Sequence, residues 1–457
     1  MEKAINKIIY LPVQIKQRAF LAKLLLGYLS LQHDYSFVIG RRKSVKQIAL
    51  KGPDGIYLEK DFFGKKSEYF EKFKERNMIF YGLDDEGLVF QNDQEYLNRR
   101  VDYESIKYMK KVFTWGERQA NILKNFLIDR KEDKKVIIAG NPRIDLLSEI
   151  GRNIYKNEIK YINNHYGKFI LFNSFFALAN GIKPIESQLK RLKRMKKNIS
   201  EDILQYWLNF YNYQKELFSL IVKALQLLAT DISTNLVIRP HPNEKITTWK
   251  KLFKDYKNVK VIKRYDIFPW IYCADAVIHN SCTTGIEAYL LGKKVIAYKP
   301  VTSENFELKL PNSLSIEVNS INSLKDIITK IIQNKYKETP DEIKKKRNIL
   351  NYNLYTGKKL SSELLLEEFN KNIFNKNKCI VKKDYSGLII SQFLKYLHFI
   401  NNIFKLPIKN PHIINDFPPT SVKEVRRYID NLNEYFKLNF NIKIKQVSAS
   451  CFYVYKT

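Results

Sequence analysis

The sequence predicts an α/β protein with two Rossmann-like units in tandem and a C-terminal α+β appendage. Two successive series of short apolar runs alternate with amphipathic stretches, which is the pattern of parallel sheets with helices on both faces. The 457 residues leave room for two such units at roughly 100–200 residues per domain. We predict a first unit at 1–150, a second at 151–335, a helical cross-over at 336–370 and the appendage at 371–457.

The first unit is indicated by apolar runs that predict buried strands. These runs lie at residues 8–11, 36–39, 78–81, 112–114 and 136–139. An amphipathic helix is predicted over 14–30, with Phe20, Leu24 and Tyr28 on one side. Parallel sheets of this kind bind their ligands beyond the carboxyl ends of the strands.

The second unit is indicated by a similar series with one long helix inserted. Its strands are predicted over residues 169–172, 236–238, 259–262, 276–278 and 295–298. Ser200 precedes two acidic residues, which predicts a helix start there. An apolar stripe follows from Ile203 to Leu228, and we interpret it as core rather than as a cofactor site.

The last part of the chain matches neither series. Residues 358–369 are predicted to cross back toward the first unit. Ser421 with Glu424 three residues later is a capping-box pattern, which predicts a helix. Apolar residues alternate over 438–444 and predict a strand. We therefore expect a small folded appendage.

The chain is strongly basic, with 79 Lys and Arg against 47 Asp and Glu and a net charge of +32. This charge attracts anions but does not choose among nucleic acids, acidic lipids and phosphorylated substrates. Composition alone is an equally good explanation, because Lys, Asn, Ile and Tyr are all abundant. The densest basic cluster is either a solvated helix face or a patch that docks on an anionic membrane surface. It comprises Lys190, Arg191, Lys193, Arg194, Lys196 and Lys197.

Several protein classes are excluded. The four cysteines show no CxxC spacing, which argues against a zinc knuckle or a disulfide framework. The most apolar later stretches, 20–31 and 388–404, are interrupted by polar residues well before the ~20 residues of a bilayer span. The N-terminus lacks the plan of a signal peptide. We expect a cytoplasmic location, either free or peripheral on the inner face of the membrane.

The most informative segment is VIRPHPNE at 237–244, an apolar strand that ends in Arg239 and His241. Prolines on both sides of His241 fix φ and stop the strand, so the imidazole is held at the strand's carboxyl end. A His there can donate to a phosphate oxygen or protonate a departing phosphate, and Arg239 adds a fixed charge. An isolated His more often satisfies a buried carbonyl, but this context favours phosphate binding.

A second candidate segment is AVIHNSCTTGIEA at 276–288. Ser281, Thr283 and Thr284 follow a strand at the point where a helix is predicted to begin, so N–H groups and hydroxyls converge there. This predicts an anion cradle, with Glu287 one turn into the helix and able to reach ribose hydroxyls. The alternative is that Ser281 and Thr283 merely cap the helix.

A third segment, FYGLDDEG at 80–87, places three carboxylates after an apolar strand. Crowded carboxylates repel, so one of them is expected to hold its proton to higher pH and to act as a general base. Taken by itself, the segment is better explained as an acidic surface turn, because Asp and Gly dominate ordinary turns.

In these three segments the chain resembles the GT-B glycosyltransferases of bacterial surface polysaccharide synthesis. It is most similar to the surface carbohydrate biosynthesis proteins, with motifs like those of bacterial sialyltransferases and Kdo transferases. Those enzymes share an acid-acid-Gly, a His-Pro and a Ser-Ser or Ser-Thr motif. Asp85-Glu86-Gly87, His241-Pro242 and, loosely, the hydroxyl residues from Ser281 to Thr284 match them in that order. The segment GNPRID at 140–145 is also similar to one in related GT-B enzymes.

The resemblance implies two Rossmann-like domains that face a cleft, the first for the acceptor and the second for the nucleotide sugar. The donor would be a CMP-linked acidic sugar such as sialic acid or Kdo, and the acceptor a hydroxyl of a glycan or lipid-linked glycan. Asp85 would take the acceptor proton, with Glu86 as the second catalytic carboxylate. His241 would contact the donor phosphate, and Ser281 and Thr283 would hold the nucleotide.

We expect transfer without a metal or other cofactor, because no convincing Asp-x-Asp metal site is visible in the second unit. Arg239, His241 and the helix start near Thr283 would offset the leaving group's charge. Three alternatives stay open: a CDP-glycerol or CDP-ribitol phosphotransferase, a UDP-sugar 2-epimerase and a non-catalytic RNA-binding protein. The last lacks an RNP, KH or zinc-knuckle signature, so no nucleic-acid partner is expected.

Overall fold

The computed structural model describes residues 7–64, 66–195, 201–231, 234–372, 381, 383–385, 388 and 417–457. The chain divides into two compact units. The first comprises Met1–Ile154 and Asn351–Thr457, and the second comprises Tyr155–Leu350. The predicted boundaries lay after residues 150 and 335, and the predicted appendage falls inside the first unit. In the part of the chain that is described, no helix is long and apolar enough to cross a membrane.

The strands form two sheets. In chain order they are β1 (Lys7–Val13), β2 (Tyr35–Arg41), β3 (Ile56–Glu59), β4 (Ile79–Leu83), β5 (Met109–Thr114), β6 (Val136–Ile138), β7 (Phe169–Asn173), β8 (Asn235–Arg239), β9 (Val259–Val261), β10 (Ala276–His279), β11 (Lys294–Tyr298), β12 (Ile316–Val318), β13 (Ile442–Ser448) and β14 (Cys451–Lys456). The sheet orders are β13-β14-β2-β1-β3-β4-β5-β6 and β12-β11-β10-β7-β8-β9.

The helices connect these strands. They are α1 (Lys16–Ser30), α2 (Arg42–Lys51), α3 (Ser67–Phe70), α4 (Asp93–Arg100), α5 (Tyr103–Ile106), α6 (Glu117–Ile128), α7 (Pro142–Asp145), α8 (Glu149–Ile154), α9 (Lys156–Tyr166), α10 (Ile185–Met195), α11 (Glu201–Asp231), α12 (Ile246–Leu252), α13 (Ile267–Cys273), α14 (Thr284–Leu290), α15 (Lys309–Ser313), α16 (Ile321–Ile332), α17 (Pro340–Asn353), α18 (Ser361–Asn370) and α19 (Val422–Phe436). Short 3-10 turns occur at Leu31–His33, Glu71–Phe73 and Asp133–Lys135.

The first sheet is parallel from β2 through β6, in the flavodoxin-like order in which β1 lies between β2 and β3. Its central strand β1 is almost entirely buried, as the continuous apolar run predicts for a strand covered on both faces. The strand β3 was not predicted, because only four residues form it and the last is Glu59, a fully buried acid.

The second sheet is entirely parallel, and its order is that of the Rossmann fold, with the reversal between β7 and β10. Asn173, the last residue of β7, is in register with Arg239 of β8 and His279 of β10. The predicted fold class, α/β with two Rossmann-like units, is therefore confirmed.

The stripe of α11 is core only in its second half. Residues from Gln214 to Ala229 bury their apolar face, whereas Ile203 is exposed and Phe210 is half-buried against Phe306, with ring centroids 5.0 Å apart. The prediction that the whole stripe is core was thus wrong for its first half.

The predicted C-terminal appendage extends the first sheet. Strand β14 pairs antiparallel with β2, with Tyr453 opposite Val38, and β13 pairs with β14. The hairpin covers an edge of the parallel sheet that would otherwise expose unpaired backbone groups. Ser421 caps α19 by accepting the N–H of Glu424 at 3.1 Å, as the capping-box pattern predicts. The strand begins at Ile442 rather than 438, because Lys437 ends the helix in a left-handed conformation (φ 53°).

Candidate functional site

The acidic segment follows the end of β4, and its first carboxylate is structural. Asp84 is fully buried and accepts hydrogen bonds from the Arg100 guanidinium, one at 3.1 Å from Nε and a second from Nη2. It also accepts the N–H of Glu86 at 3.1 Å, while its backbone carbonyl accepts the Trp115 indole N–H at 2.6 Å. Burial raises the pKa of Asp84, and Arg100 opposes that rise. Asp84 therefore holds the turn in place through its buried hydrogen bonds.

The other two carboxylates of the turn are also paired with cations. Asp85 Oδ2 lies 3.2 Å from Lys23 Nζ, and its side chain is 20% exposed. Glu86 pairs with Arg18 at 3.0 Å and with Arg100 at 2.9 Å. Burial favours a higher pKa for Glu86, but the two arginines lower it overall. The sequence predicted that repulsion between crowded carboxylates would raise a pKa in this turn. In the structure, burial and paired cations are the main influences on the pKa values of Asp84 and Glu86.

A pocket of the first unit lies beside this turn, at the crevice between β1 and β3 where the strand order reverses. Such a switch point at the carboxyl edge is the usual ligand site of doubly wound sheets. Asp85 forms part of its wall, next to Lys23, whose buried ammonium also donates to the Pro12 carbonyl at 2.9 Å. The lining residues are Gln14, Ile15, Arg18, Ala19, Ala22, Lys23, Leu58, Lys60, Leu83, Asp85, Glu86, Asn141, Pro142 and Arg143. Lys23 was missed in the sequence because it lies in an apolar helix.

The GNPRID segment has a structural explanation. Asn141 caps α7 by accepting the N–H of Arg143 at 2.9 Å. Buried Asp145 accepts the backbone N–H groups of Ser361 and Ser362, both at 2.8 Å, and the Ser362 hydroxyl at 2.7 Å. Burial raises the pKa of Asp145 to about 6. The segment thus anchors the start of α18, a helix of the first unit.

In the second unit His241 occupies the turn after β8. Its ring Nδ1 accepts the N–H of Asn243 at 3.2 Å, so in the neutral ring the proton resides on Nε2, which can donate to an anion. Its backbone N–H donates at 3.3 Å to the hydroxyl of Ser174, which lies in the loop after β7. The rigid turn that the two prolines predict is therefore present at the carboxyl edge of the sheet.

Glu244 holds this turn, a role that sequence reasoning missed. It is almost fully buried, and its carboxylate accepts Ser174 Oγ, Phe176 N–H and Trp249 Nε1, all at 2.8 Å, as well as the N–H of His241 at 3.2 Å. Burial raises the pKa of Glu244. The sequence signal that could have identified Glu244 was an acidic residue directly after the His-Pro turn, which itself follows an apolar strand.

The Arg239 guanidinium has contacts within the protein. Its guanidinium donates to the carbonyl of Arg264 at 2.6 Å and to that of Tyr265 at 3.1 Å, and it lies over the Trp270 ring at 5.3 Å. Burial lowers the pKa of Arg239 to about 10. These contacts fix the loop after β9, and a phosphate contact by Arg239 stays a prediction.

The hydroxyl-rich segment begins with two inward-facing residues. His279 is fully buried, bonded to Ser315 Oγ at 2.8 Å, and burial lowers its pKa to about 3. Ser281 has a left-handed φ of 54° and shares hydrogen bonds with the Asn312 amide, the shorter at 2.9 Å. A Cβ on Gly285 would lie 2.6 Å from His279 Nε2, so glycine is needed for the helix to approach the strand. A nucleotide contact by Ser281 stays a prediction.

The helix entrance itself is formed by Thr283 and Thr284. Thr283 makes no side-chain cap hydrogen bond, contrary to the capping alternative. In the described part of the chain the buried Thr284 hydroxyl has no hydrogen-bond partner. Glu287 is buried within the seven-residue helix α14, and its ribose contact also stays a prediction.

The loops after β7, β8 and β10 are joined to one another. Ser174 bonds the His241 turn, and Asn280 binds Phe175 through both its amide oxygen (3.0 Å) and its amide nitrogen (3.4 Å). Because β7 lies between β8 and β10, the His241 turn and the hydroxyl segment leave the sheet about 10 Å apart. The structure therefore brings the two predicted half-sites of the second unit to one edge.

Asn173 is a further residue at this edge that sequence reasoning missed. It is buried, and among the residues that the structure describes neither atom of its amide has a hydrogen-bond partner. Its neighbours in register, Arg239 and His279, are bonded to protein groups. The only signal in the sequence was a polar residue at the end of the apolar strand FILFN.

The basic cluster is only partly described. Lys190 and Lys193 are exposed on α10, whereas Lys196, Lys197 and the side chains of Arg191 and Arg194 lie outside the described residues, as do Cys379 and most of 388–404. Docking on an anionic membrane therefore stays a prediction.

Within the described ranges, no three His, Cys, Asp or Glu side chains form a group that could hold a metal ion.

No protein-family model and no curated protein matches the sequence. Similar solved structures include the UDP-GlcNAc 2-epimerase of Methanocaldococcus jannaschii, at 15% identity and a TM-score of 0.49, covering 80% of this chain and 99% of that one. Another is the Neisseria meningitidis UDP-GlcNAc 2-epimerase bound to UDP-GlcNAc, at 15% identity, a TM-score of 0.46 and coverage of 80% and 100%. A variant of the wall teichoic acid polymerase TagF matches at 11% identity, a TM-score of 0.49 and coverage of 80% and 88%. Similarities of this degree assign no function to this chain.

Proposed function

We propose that the protein is a glycosyltransferase of bacterial surface polysaccharide synthesis. It would move an acidic sugar, a nonulosonate such as sialic acid or Kdo, from a CMP donor to a hydroxyl of a glycan or lipid-linked glycan. The observation that carries the proposal is the His241 turn, which holds the imidazole at the ligand edge of a Rossmann-like sheet with Nδ1 accepting the N–H of Asn243.

The second unit would bind the donor. His241 donates from Nε2 to a phosphate oxygen and so stabilises the charge that develops on the departing CMP. Glu244 keeps the ring in position through the backbone N–H of His241 and through Ser174. Thr283 and Thr284 at the start of α14 supply hydroxyls near the same edge, and Glu287 would meet the ribose.

The first unit would activate the acceptor. Asp85 is the best-placed carboxylate, because Asp84 is sealed behind Arg100 and Glu86 is shared between two arginines. In an inverting transfer Asp85 accepts the proton of the acceptor hydroxyl as that oxygen attacks the sugar's anomeric carbon. Lys23 at 3.2 Å holds the carboxylate in place within the pocket wall.

No divalent cation has a role in this proposal, since His241 and backbone N–H groups offset the leaving-group charge. Transfer that is abolished by EDTA and restored by Mn²⁺ would contradict it. We place the enzyme in the cytoplasm, with the exposed Lys190 and Lys193 of α10 available to anionic lipids.

A thermal-shift panel of CMP, CDP, UDP and GDP tests the donor class. We expect a shift with CMP that His241→Ala abolishes and that His165→Ala, a matched control at an exposed histidine of the same unit, leaves unchanged. Transfer from CMP-sialic acid or CMP-Kdo to glycan acceptors then tests the activity.

The same panel separates the alternatives. A shift with UDP and epimer formed from UDP-GlcNAc alone would indicate a 2-epimerase. Turnover of CDP-glycerol would indicate a phosphotransferase. Salt-sensitive binding of arbitrary RNA without any nucleotide shift would indicate an RNA-binding protein.

A further inference from the structure

A lysine that the sequence analysis did not single out lies beside the His241 turn. Lys263 comes shortly after the end of β9, the neighbour of β8 in the parallel sheet, so it leaves the sheet at the same carboxyl edge as His241. Its ammonium donates to the backbone carbonyl of Pro242 at 3.2 Å and to that of Glu244 at 2.6 Å. The positive charge of Lys263 is therefore held on the turn that carries the imidazole.

This ammonium has no contacting carboxylate. Among the residues that the structure describes, neither Lys263 nor Arg239 forms an ion pair, and the hydrogen bonds of both go to backbone carbonyls, which carry no net charge. Lys299 of the same unit differs, because it pairs with Glu307 at 2.7 Å and with Glu317 at 2.8 Å. Two cations without a contacting carboxylate thus lie at the edge where β8 and β9 end.

The two cations also influence each other. Burial lowers the pKa of Lys263, the charge of Glu244 opposes that change and the charge of Arg239 adds to it. The Glu244 carboxylate is engaged by donors of its own turn and of the loop after β7, and Asp266, the acid nearest in effect to Arg239, accepts the Tyr155 hydroxyl at 2.7 Å. A positive charge that is partly removed from water and lacks a contacting anion is costly, and an anionic ligand would relieve that cost.

We propose that Lys263 is a further phosphate-binding residue, which together with Arg239 and His241 holds the phosphate of the departing nucleotide. The inference rests on the proposed transferase function. An ammonium has three N–H donors, and the carbonyls of Pro242 and Glu244 leave the third for a phosphate oxygen.

The charge of the phosphate explains why a second cation is useful at this edge. In the donor the phosphate is a diester with a single negative charge. When the bond between the anomeric carbon and the phosphate oxygen breaks, its electron pair stays on that oxygen, and the phosphate becomes a monoester with about two negative charges. Lys263 and Arg239 match this charge, so they interact more strongly with the leaving nucleotide than with the donor, which lowers the barrier.

Affinities for CMP and for cytidine, which lacks the phosphate, test this role by calorimetric titration of the full chain. We expect Lys263→Gln to weaken CMP binding about tenfold and to leave cytidine binding within about twofold, because the glutamine amide can donate to the turn carbonyls but carries no charge. Lys263→Arg, which keeps the charge, should retain most of the CMP affinity. Lys260→Gln, at an exposed lysine of β9, should change neither affinity.

A lysine that only clamps the turn gives a different result. In that case Lys263→Gln weakens CMP and cytidine by the same factor and lowers the melting temperature of the ligand-free protein. That result, or a variant that binds CMP as tightly as wild type, overturns the inference.

A second probe separates this inference from the proposed function. If wild type binds neither CMP nor cytidine, the proposed donor class is wrong, and inorganic pyrophosphate titrated into the same variants tests the anion site alone. Pyrophosphate binding that Lys263→Gln weakens about tenfold supports the site. Equal affinity of wild type and Lys263→Gln for pyrophosphate, or binding to neither, overturns it.

Discussion

Replacing Glu244 with alanine tests how the His241 turn is held. The substitution leaves the N–H groups of Phe176 and Trp249 buried without the acceptor that now lies 2.8 Å from each. Each unsatisfied buried donor costs about 1–3 kcal/mol, partly offset because a buried carboxylate is removed. We expect a net loss of roughly 3 kcal/mol. For a unit of this size that loss lowers the melting temperature by roughly 6–12 °C.

Thermal unfolding with and without CMP measures two consequences of this change, the loss of stability and the loss of the CMP shift. The melting temperature of Glu244→Gln should lie between those of wild type and Glu244→Ala. The glutamine amide keeps one acceptor oxygen but turns an N–H group toward the donors of Trp249 and Asn180. Glu216→Ala, at an exposed glutamate of α11, should change stability by less than about 0.5 kcal/mol. A Glu244→Ala protein that melts within about 2 °C of wild type and keeps its CMP shift would refute this account of the turn.

Three further substitutions probe other buried polar groups. Burial raises the pKa of Asp145 to about 6, so its protonated form is favoured by folding. Wild-type stability should therefore fall by up to ~3 kcal/mol relative to Asp145→Asn as the pH rises from about 4 to about 6, as measured by urea unfolding; a relative gain would contradict this. Lys23→Met should slow transfer about tenfold without changing the CMP shift, because the cation beside Asp85 is lost while the second unit is untouched; unchanged transfer would remove Lys23 from the site. Asn173→Leu should raise the stability of the ligand-free protein by about 1 kcal/mol in urea unfolding, since an amide without a partner is replaced by an apolar group; a destabilised variant would indicate that an ordered water satisfies the amide.

The strands of both sheets were predictable where the chain is buried on both faces. Such strands are continuous apolar runs, as in β1 and β7, and the alternation with helices identifies the parallel sheets. Strand β3 was not predicted because it is short and ends in Glu59. The charge of Glu59 is compensated by Arg42 and Lys66, which lie outside this strand. Only one strand of the C-terminal hairpin, at 438–444, was predicted, and its inclusion in the first sheet was missed because β2, the partner of β14, lies at the opposite end of the chain.

The sequence by itself determined the features that depend on neighbouring residues. Two prolines fix the backbone around His241, and Ser421 caps α19, because φ and the first hydrogen bonds of a helix are local properties. Only the tertiary structure decided which carboxylates of residues 84–86 line a pocket and which groups hold the Arg239 guanidinium. Those outcomes depend on burial and on charge partners such as Arg100, Lys23 and Trp270, which come from distant segments and which no local pattern reveals.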